Sequence, residues 1–316
     1  MREPYLVELA GRVREGLTKL PDSFRAKHRD FVLAHQEPSG GFRGREGDAD
    51  LYYTSFALRA LAAMDELPDA VGRRAADFVR SRDRQSLDTV DLLNWLSAAL
   101  ILQSSVGGDW FVGDGSDWAG QIAERLEATV TPDGGYGTRE SASLGSTYHS
   151  FLVMTIYELL GRSVPDPEGL EQFLASRQRE DGGFVEFAPM RRGGTNPTAA
   201  AAVVLSRLER MRPPYRDGIC RFFSQVSCPT GGFRANTRVP FGDGLSTFAV
   251  LSAAIEIGIG DTVDWAGIES FVRRRLERPE GGFRAAAWDE DADVEYTFYG
   301  LGCLALAEWS RRGLRQ

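Results

Sequence analysis

Two kinds of apolar pattern alternate along the chain. The stretches at about 50–64, 88–103, 144–161, 196–210, 243–257 and 293–310 are apolar nearly all round, as in Thr198–Leu205 and Phe248–Ile255. A helix without a polar face is buried on every side. The Ala, Ser and Gly in these stretches let backbones approach closely. Between them lie charged segments with one apolar stripe, at about 23–36, 69–82, 116–130, 166–178, 214–226 and 264–276. Such segments form an outer wall that turns one face to the core. Several start at proline or aspartate, such as Asp166-Pro167 and Asp264-Trp265, as helix N-termini do. One more amphipathic helix is expected over 5–20, with Leu6, Leu9, Val13, Leu17 and Leu20 on one face, closed by Pro21-Asp22-Ser23.

The joints repeat. Ser39-Gly-Gly-Phe42, Asp133-Gly-Gly-Tyr136, Asp181-Gly-Gly-Phe184, Thr230-Gly-Gly-Phe233 and Glu280-Gly-Gly-Phe283 stand before inner helices, with first glycines at 40, 134, 182, 231 and 281. The gaps are 94, 48, 49 and 50; the doubled first gap hides a degenerate copy, where Ser86-Leu87-Asp88 replaces the motif. A fixed period of this size marks a repeat architecture. The expectation is an all-α fold, an α/α toroid (α6/α6 barrel) forming a single domain over 1–316. It comprises an N-terminal extra helix within 1–22 and six repeats of about 48 residues over 23–310. An open solenoid is the alternative, but it needs polar terminal caps. The glycine pairs are read as left-handed C-caps of the outer helices, with the aromatic packed between helices.

Composition changes little in this picture. With 316 residues and 42% apolar content, the chain can bury a large core. A formal charge of -8 argues against nucleic acid. Cys220, Cys228 and Cys303 have no paired spacing, so a reducing, cytoplasmic setting is expected. No transmembrane segment is predicted.

Gln178–Phe184, and Gly281-Gly-Phe-Arg followed by Ala292–Leu301, resemble the repeats of protein prenyltransferase β subunits. Squalene–hopene cyclases share that repeat family. The resemblance spans about 23–310 and implies an aromatic-lined funnel that holds an isoprenoid. In protein prenyltransferases it also implies a zinc ion bound by Asp-x-Cys at the penultimate inner helix and by a His at the last. Here those places hold Asp243-Gly244-Leu245 and Tyr296, so zinc is expected to be lost and no metal residue is assigned. Magnesium enters only as the companion of a diphosphate. The family's diphosphate loops correspond to those with Arg191, Arg192, Arg234 and Arg238, which are the candidate holders of that group; solvated loop arginines are the bland reading. The cyclase branch uses Asp-x-Asp-Asp, and Asp48-Ala-Asp50 and Asp291-Ala-Asp293 are each one acid short; helix N-capping explains them cheaply.

Candidate catalytic residues are Asp243, His149 and Tyr296. His149 opens the third inner helix as general base or diphosphate ligand, with a packed histidine as the alternative. Tyr52, Trp95, Tyr148, Phe248 and Tyr299 are the candidate lining of the funnel, with plain core packing as the alternative. The reading is an isoprenoid- or prenyl-diphosphate-binding, zinc-independent transferase or terpenoid cyclase, with room for a protein partner at the barrel mouth. Two alternatives stand beside it. One is a non-catalytic lipid- or partner-binding toroid. The other is a carbohydrate-active α/α barrel using Asp50, Asp243 or Asp293.

Overall fold

The computed structural model describes residues 2–111 and 117–313. Positions 1, 112–116 and 314–316 of the expected domain lie outside the described residues. Thirteen α-helices are present among them: α1 (Tyr5–Leu17), α2 (Asp22–Leu33), α3 (Leu51–Met64), α4 (Asp69–Arg80), α5 (Thr89–Val106), α6 (Trp118–Glu127), α7 (Thr147–Leu159), α8 (Pro167–Arg177), α9 (Thr195–Arg207), α10 (Pro213–Val226), α11 (Gly244–Glu256), α12 (Trp265–Phe271) and α13 (Val294–Gly313). Odd-numbered helices from α3 onward are the apolar set, and even-numbered ones carry the single stripe. α3 ends at Met64 as expected, α7, α9 and α11 stop one to three residues earlier than expected, and α5 and α13 run three residues further. Asp65 and Glu209 take left-handed dihedrals (φ 62° and 57°) just past α3 and α9. The last outer segment continues α12 as a π-helical turn, Val272–Leu276.

The chain groups into two compact units, Met1–Leu6 with Asp117–Asp264, and Val7–Ser116 with Trp265–Gln316. In the first, α9 packs between α7 and α11, with α8 against α7 and α10 against α9. The N-terminal residues strap across the far ends of these inner helices. Arg207 Nε reaches Glu158 at 2.7 Å, Glu158 also accepts the Tyr5 N–H at 2.8 Å, and Arg2 meets Glu256 at 3.0 Å. The Arg207 and Glu256 side chains are 3% and 0% exposed, so the centre of this network is held out of water.

In the second unit α3 lies between α5 and α13, with α2 on α3, α4 on α5 and α12 on α13. The last repeat therefore stands beside the first. Gly40 (φ 91°) shows why its motif needs glycine: an added Cβ would stand 2.2 Å from the Arg74 carbonyl of the next outer helix. Gly281 (φ 109°) meets the Lys27 carbonyl of α2 in the same way, at 2.7 Å. The sixth joint thus docks on the first outer helix as the first joint docks on the second. His28 of α2 completes the clasp. It is fully buried, its Nδ1 accepts the Gly282 N–H at 3.0 Å, and its ring stacks on Phe283 at 4.6 Å.

The glycine pairs do not cap the outer helices, as the sequence suggested. Those helices end earlier, and the glycines form the turn of a miniature hairpin: the Glu37 N–H reaches the Gly41 carbonyl at 2.8 Å and the Gly40 N–H the Glu37 carbonyl at 2.9 Å. The aromatic residue is the middle rung of a three-segment ladder, Gln36–Phe42–Asp50 in the first repeat and Gln178–Phe184–Gly194 in the fourth. The last repeat extends this ladder into β1 (Phe283–Arg284) and β2 (Ala292–Asp293). A side chain on the inner helix secures it. The Phe42, Tyr136, Phe184, Phe233 and Phe283 N–H groups donate to the hydroxyls of Thr54, Ser150, Thr198, Thr247 and Thr297. Each hydroxyl residue stands four positions after the helix cap. In the degenerate repeat that position, counted from the cap Asp88, is Leu92; the hydroxyl and the glycine-aromatic turn are lost together.

Candidate functional site

Five of the six inner helices start from a cap whose side-chain oxygen holds an early backbone N–H; α9 starts at Gly194 without one. Asp50, Asp88, Ser146, Asp243 and Asp293 each accept the N–H three residues on. Around the caps of α3 and α13, within one unit, six aromatic rings gather. Tyr52 contacts Tyr53 and Phe56 at 5.4 and 4.9 Å, Phe56 contacts Phe298 and Tyr299 at 5.6 and 5.3 Å, and Tyr299 contacts Tyr296 at 6.0 Å.

Carboxylates lie among these rings. The Tyr52 hydroxyl donates to Glu295 Oε1 at 2.7 Å. Burial pushes the Glu295 carboxyl above its ordinary range; the hydroxyls of Tyr52 and Tyr299 pull the other way, and the nearby Asp293 charge adds to the rise. Asp293, 4% exposed, is also raised by burial, although Arg45 Nε at 3.1 Å and the Tyr296 N–H favour its charged form. Arg45 grips Asp289 with both terminal nitrogens, at 2.9 and 2.6 Å, which holds that carboxyl low despite its burial. A carboxyl kept toward its neutral form beside π faces can deliver a proton and shelter the cation that results.

The other predicted residues are placed differently. Asp243 is the cap of α11: one oxygen takes the Ser246 N–H at 2.7 Å and the other the Ser246 hydroxyl at 2.8 Å. Burial raises its pKa. His149 is half-buried, its N–H held by the Ser146 hydroxyl. Beside it Glu186, pushed up by burial, accepts the Ser146 hydroxyl and lies 3.3 Å from the Tyr148 N–H. Tyr148 is exposed, with its ring near Phe151, and Phe248 is buried on α11. Trp95 turns to the outer wall, where its indole N–H donates to the Val79 carbonyl of α4 at 3.1 Å. Arg234 caps the end of α10, donating to the Gln225 and Val226 carbonyls. Arg191, Arg192 and Arg238 stand exposed, with no ion-pair partner among the described residues.

The structure thus brings Tyr52, Tyr296 and Tyr299 together and gives Trp95, Arg234 and Asp243 local tasks. Glu295, Arg45 and Glu186 were not among the predicted site residues. Glu295 had a signal, an acid at the start of a mainly apolar helix. Arg45 and Glu186 had none, since they gain meaning only from partners far along the chain.

At the implied zinc positions, Leu245 offers no lone pair and the Asp243 oxygens are taken by Ser246. This donor set does not fit zinc. Among the described residues, no group of three or more His, Cys, Asp and Glu side chains is placed to hold a metal. No helix among them is long and apolar enough to cross a membrane.

The family model described as the prenyltransferase alpha-alpha toroid domain matches residues 13–91, 91–233 and 198–315. No curated protein matches the sequence. Among solved structures, a Candida albicans protein geranylgeranyltransferase-I complexed with GGPP is similar, with TM-score 0.67 and 15% identity over 89% of this chain and 90% of that one. A variant of the type II terpene cyclase MstE from Scytonema, in complex with geranylgeranyl dihydroxybenzoate, has TM-score 0.61 and 14% identity over 96% and 99%. An unsaturated glucuronyl hydrolase specific for heparin has TM-score 0.63 and 11% identity over 96% and 98%. These likenesses establish the fold.

Proposed function

Since the chain belongs to the prenyltransferase alpha-alpha toroid domain family, we propose that it binds an isoprenoid chain and acts on it by proton transfer, without zinc. One observation carries the reading. At the starts of α3 and α13 a half-buried carboxyl, Glu295, with its pKa raised, stands beside a cluster of six aromatic rings. In the step proposed, the Glu295 carboxyl proton adds to an alkene carbon. The alkene's electron pair forms the new C–H bond, and a tertiary cation remains beside the rings of Tyr52, Phe56 and Tyr299. A carbon next to the cation then gives a proton to the Glu295 carboxylate; the C–H electron pair forms the product alkene and the acid is restored. Arg45, 3.1 Å from Asp293, favours the charged form of that carboxyl against its burial.

Thiol prenylation has less support, because it needs a metal-activated thiolate and the Asp243, Leu245 and Tyr296 positions do not furnish the donors. A glycoside-cleaving reading is also less favoured, because Asp50, Asp243 and Asp293 each serve as helix caps. The test uses geranylgeraniol and geranylgeranyl diphosphate as probes, with binding followed by intrinsic fluorescence and products by mass spectrometry, in chelator and in added zinc. Saturable binding and turnover in chelator are expected, with Glu295→Gln binding the probe but not converting it. Failure to bind either probe, or turnover only with zinc, overturns the proposal.

A further inference from the structure

The two loops that lead into α9 and α11 carry a surface unlike the rest of the chain. Their tips, 187–192 and 235–241, contain three arginines and no acid, on a protein of net charge -8. Three of the eight large apolar side chains that stand exposed among the described residues, Phe187 (37%), Met190 (47%) and Phe241 (39%), lie on the same tips. Arg191, Arg192 and Arg238 are exposed there and have no ion-pair partner among the described residues. The neighbouring acids are turned inward, Glu186 to the start of α7 and Asp243 to the start of α11.

The tips are also held in shape. Arg179 donates to the Ala188 carbonyl at 2.8 Å and the Met190 carbonyl at 2.9 Å, and the Met190 N–H closes a turn on Phe187 at 3.0 Å. Asn236 Oδ1 accepts the Arg238 N–H at 2.9 Å. The Thr195 N–H ties the two loops through the Ala235 carbonyl at 2.9 Å. A prearranged tip loses little conformational freedom when it is covered.

We infer that this loop face docks on an anionic lipid bilayer, with Phe187, Met190 and Phe241 entering the headgroup region and the three arginines meeting lipid phosphates. Aromatic and apolar tips with adjacent arginines suit the interface of a membrane. The charge contrast with the acidic remainder fixes which face approaches. The inference does not depend on the isoprenoid reading, because it needs no ligand in the toroid.

Flotation with phosphatidylglycerol-containing and pure phosphatidylcholine vesicles, at low and high salt, tests it. The protein is expected to float with the anionic vesicles at low salt and to be released at high salt. Replacing Arg191, Arg192 and Arg238 together by serine should weaken binding roughly a hundredfold, at about fivefold per arginine. The double variant Phe187→Ser, Met190→Ser should weaken binding at unchanged salt dependence. Arg73→Ser, at an exposed arginine paired with Asp69 on α4, should leave it unchanged. Lack of binding to anionic vesicles overturns the inference, and so does equal loss with Arg73→Ser. A soluble complex with a protein partner and no vesicle binding refutes it as well.

Discussion

Replacing Thr297 by valine keeps the volume and branching of the side chain and removes only the hydroxyl. That hydroxyl accepts the Phe283 N–H at 3.1 Å and donates to the Asp293 carbonyl at 2.5 Å. Both Thr297 and Phe283 are fully buried, so water cannot replace the lost acceptor. An unsatisfied buried N–H costs about 1–3 kcal/mol. No cavity term adds to this, since the substitution is isosteric. At roughly 2–3 °C per kcal/mol for a protein of this size, the melting temperature should fall by about 2–9 °C. Thr297→Ser, which keeps the oxygen, should lose less. Hydrogen exchange supplies a local readout: the Phe283 amide should exchange faster in the valine variant, while the Phe184 amide, held by Thr198 in another repeat, stays protected. The converse substitution, Leu92→Thr, installs a hydroxyl where no aromatic N–H waits for it, and should destabilise by about 2–4 kcal/mol through lost packing and an unpaired polar atom. A valine variant as stable as the native protein, or equal effects of valine and serine, would refute the reasoning.

Further outcomes follow from other sites. Arg207→Ala removes the cation that sits against the half-buried Glu158 and the buried Glu256; chemical denaturation should show a loss of about 3–5 kcal/mol. Burial holds the His28 pKa below 6.5 in the folded state, despite the opposing Glu277. The unfolded chain therefore takes up the proton first, and the stability His28 contributes is complete above pH 6.5 and drains as pH falls below it; denaturation midpoints measured across that range should decline, and His28→Gln should flatten the decline. Glu295 titrates above its ordinary 4.5, so turnover that uses its protonated form should fall as pH rises past that value, and Tyr52→Phe, which removes a donor to the carboxylate, should move that limb to higher pH in a pH–rate profile.

The helical alternation was legible because period and polarity are local properties. Thr198–Leu205, apolar on all sides, must be an inner helix wherever it sits. The joints were legible as repeats but not as hairpins. A glycine pair after a helix suits a C-cap equally well, and only the Phe184 N–H on Thr198, fourteen positions away, decides the matter. That latch had a sequence signal in the Ser or Thr four residues past each cap, absent at Leu92. The candidate site was half legible. Tyr52, Tyr296 and Tyr299 stand out as aromatics at helix starts, whereas Arg45 and Asp289 become one feature only when the first and last repeats meet. Trp95 shows the limit of the pattern, because an all-apolar helix does not tell which of its sides faces the wall.

The clasp between His28 and Phe283 has a consequence for synthesis. The two residues lie about 250 positions apart, so at ribosomal speeds of about 5–20 residues per second α2 emerges roughly 10–50 seconds before its permanent cover. During that interval the Phe24 and His28 side of α2 faces solvent or a chaperone, and the nascent chain is vulnerable to capture by another copy's sixth joint. Elongation rate and chaperone supply, rather than the stability of the finished protein, would then govern how much of it is recovered intact from the cell.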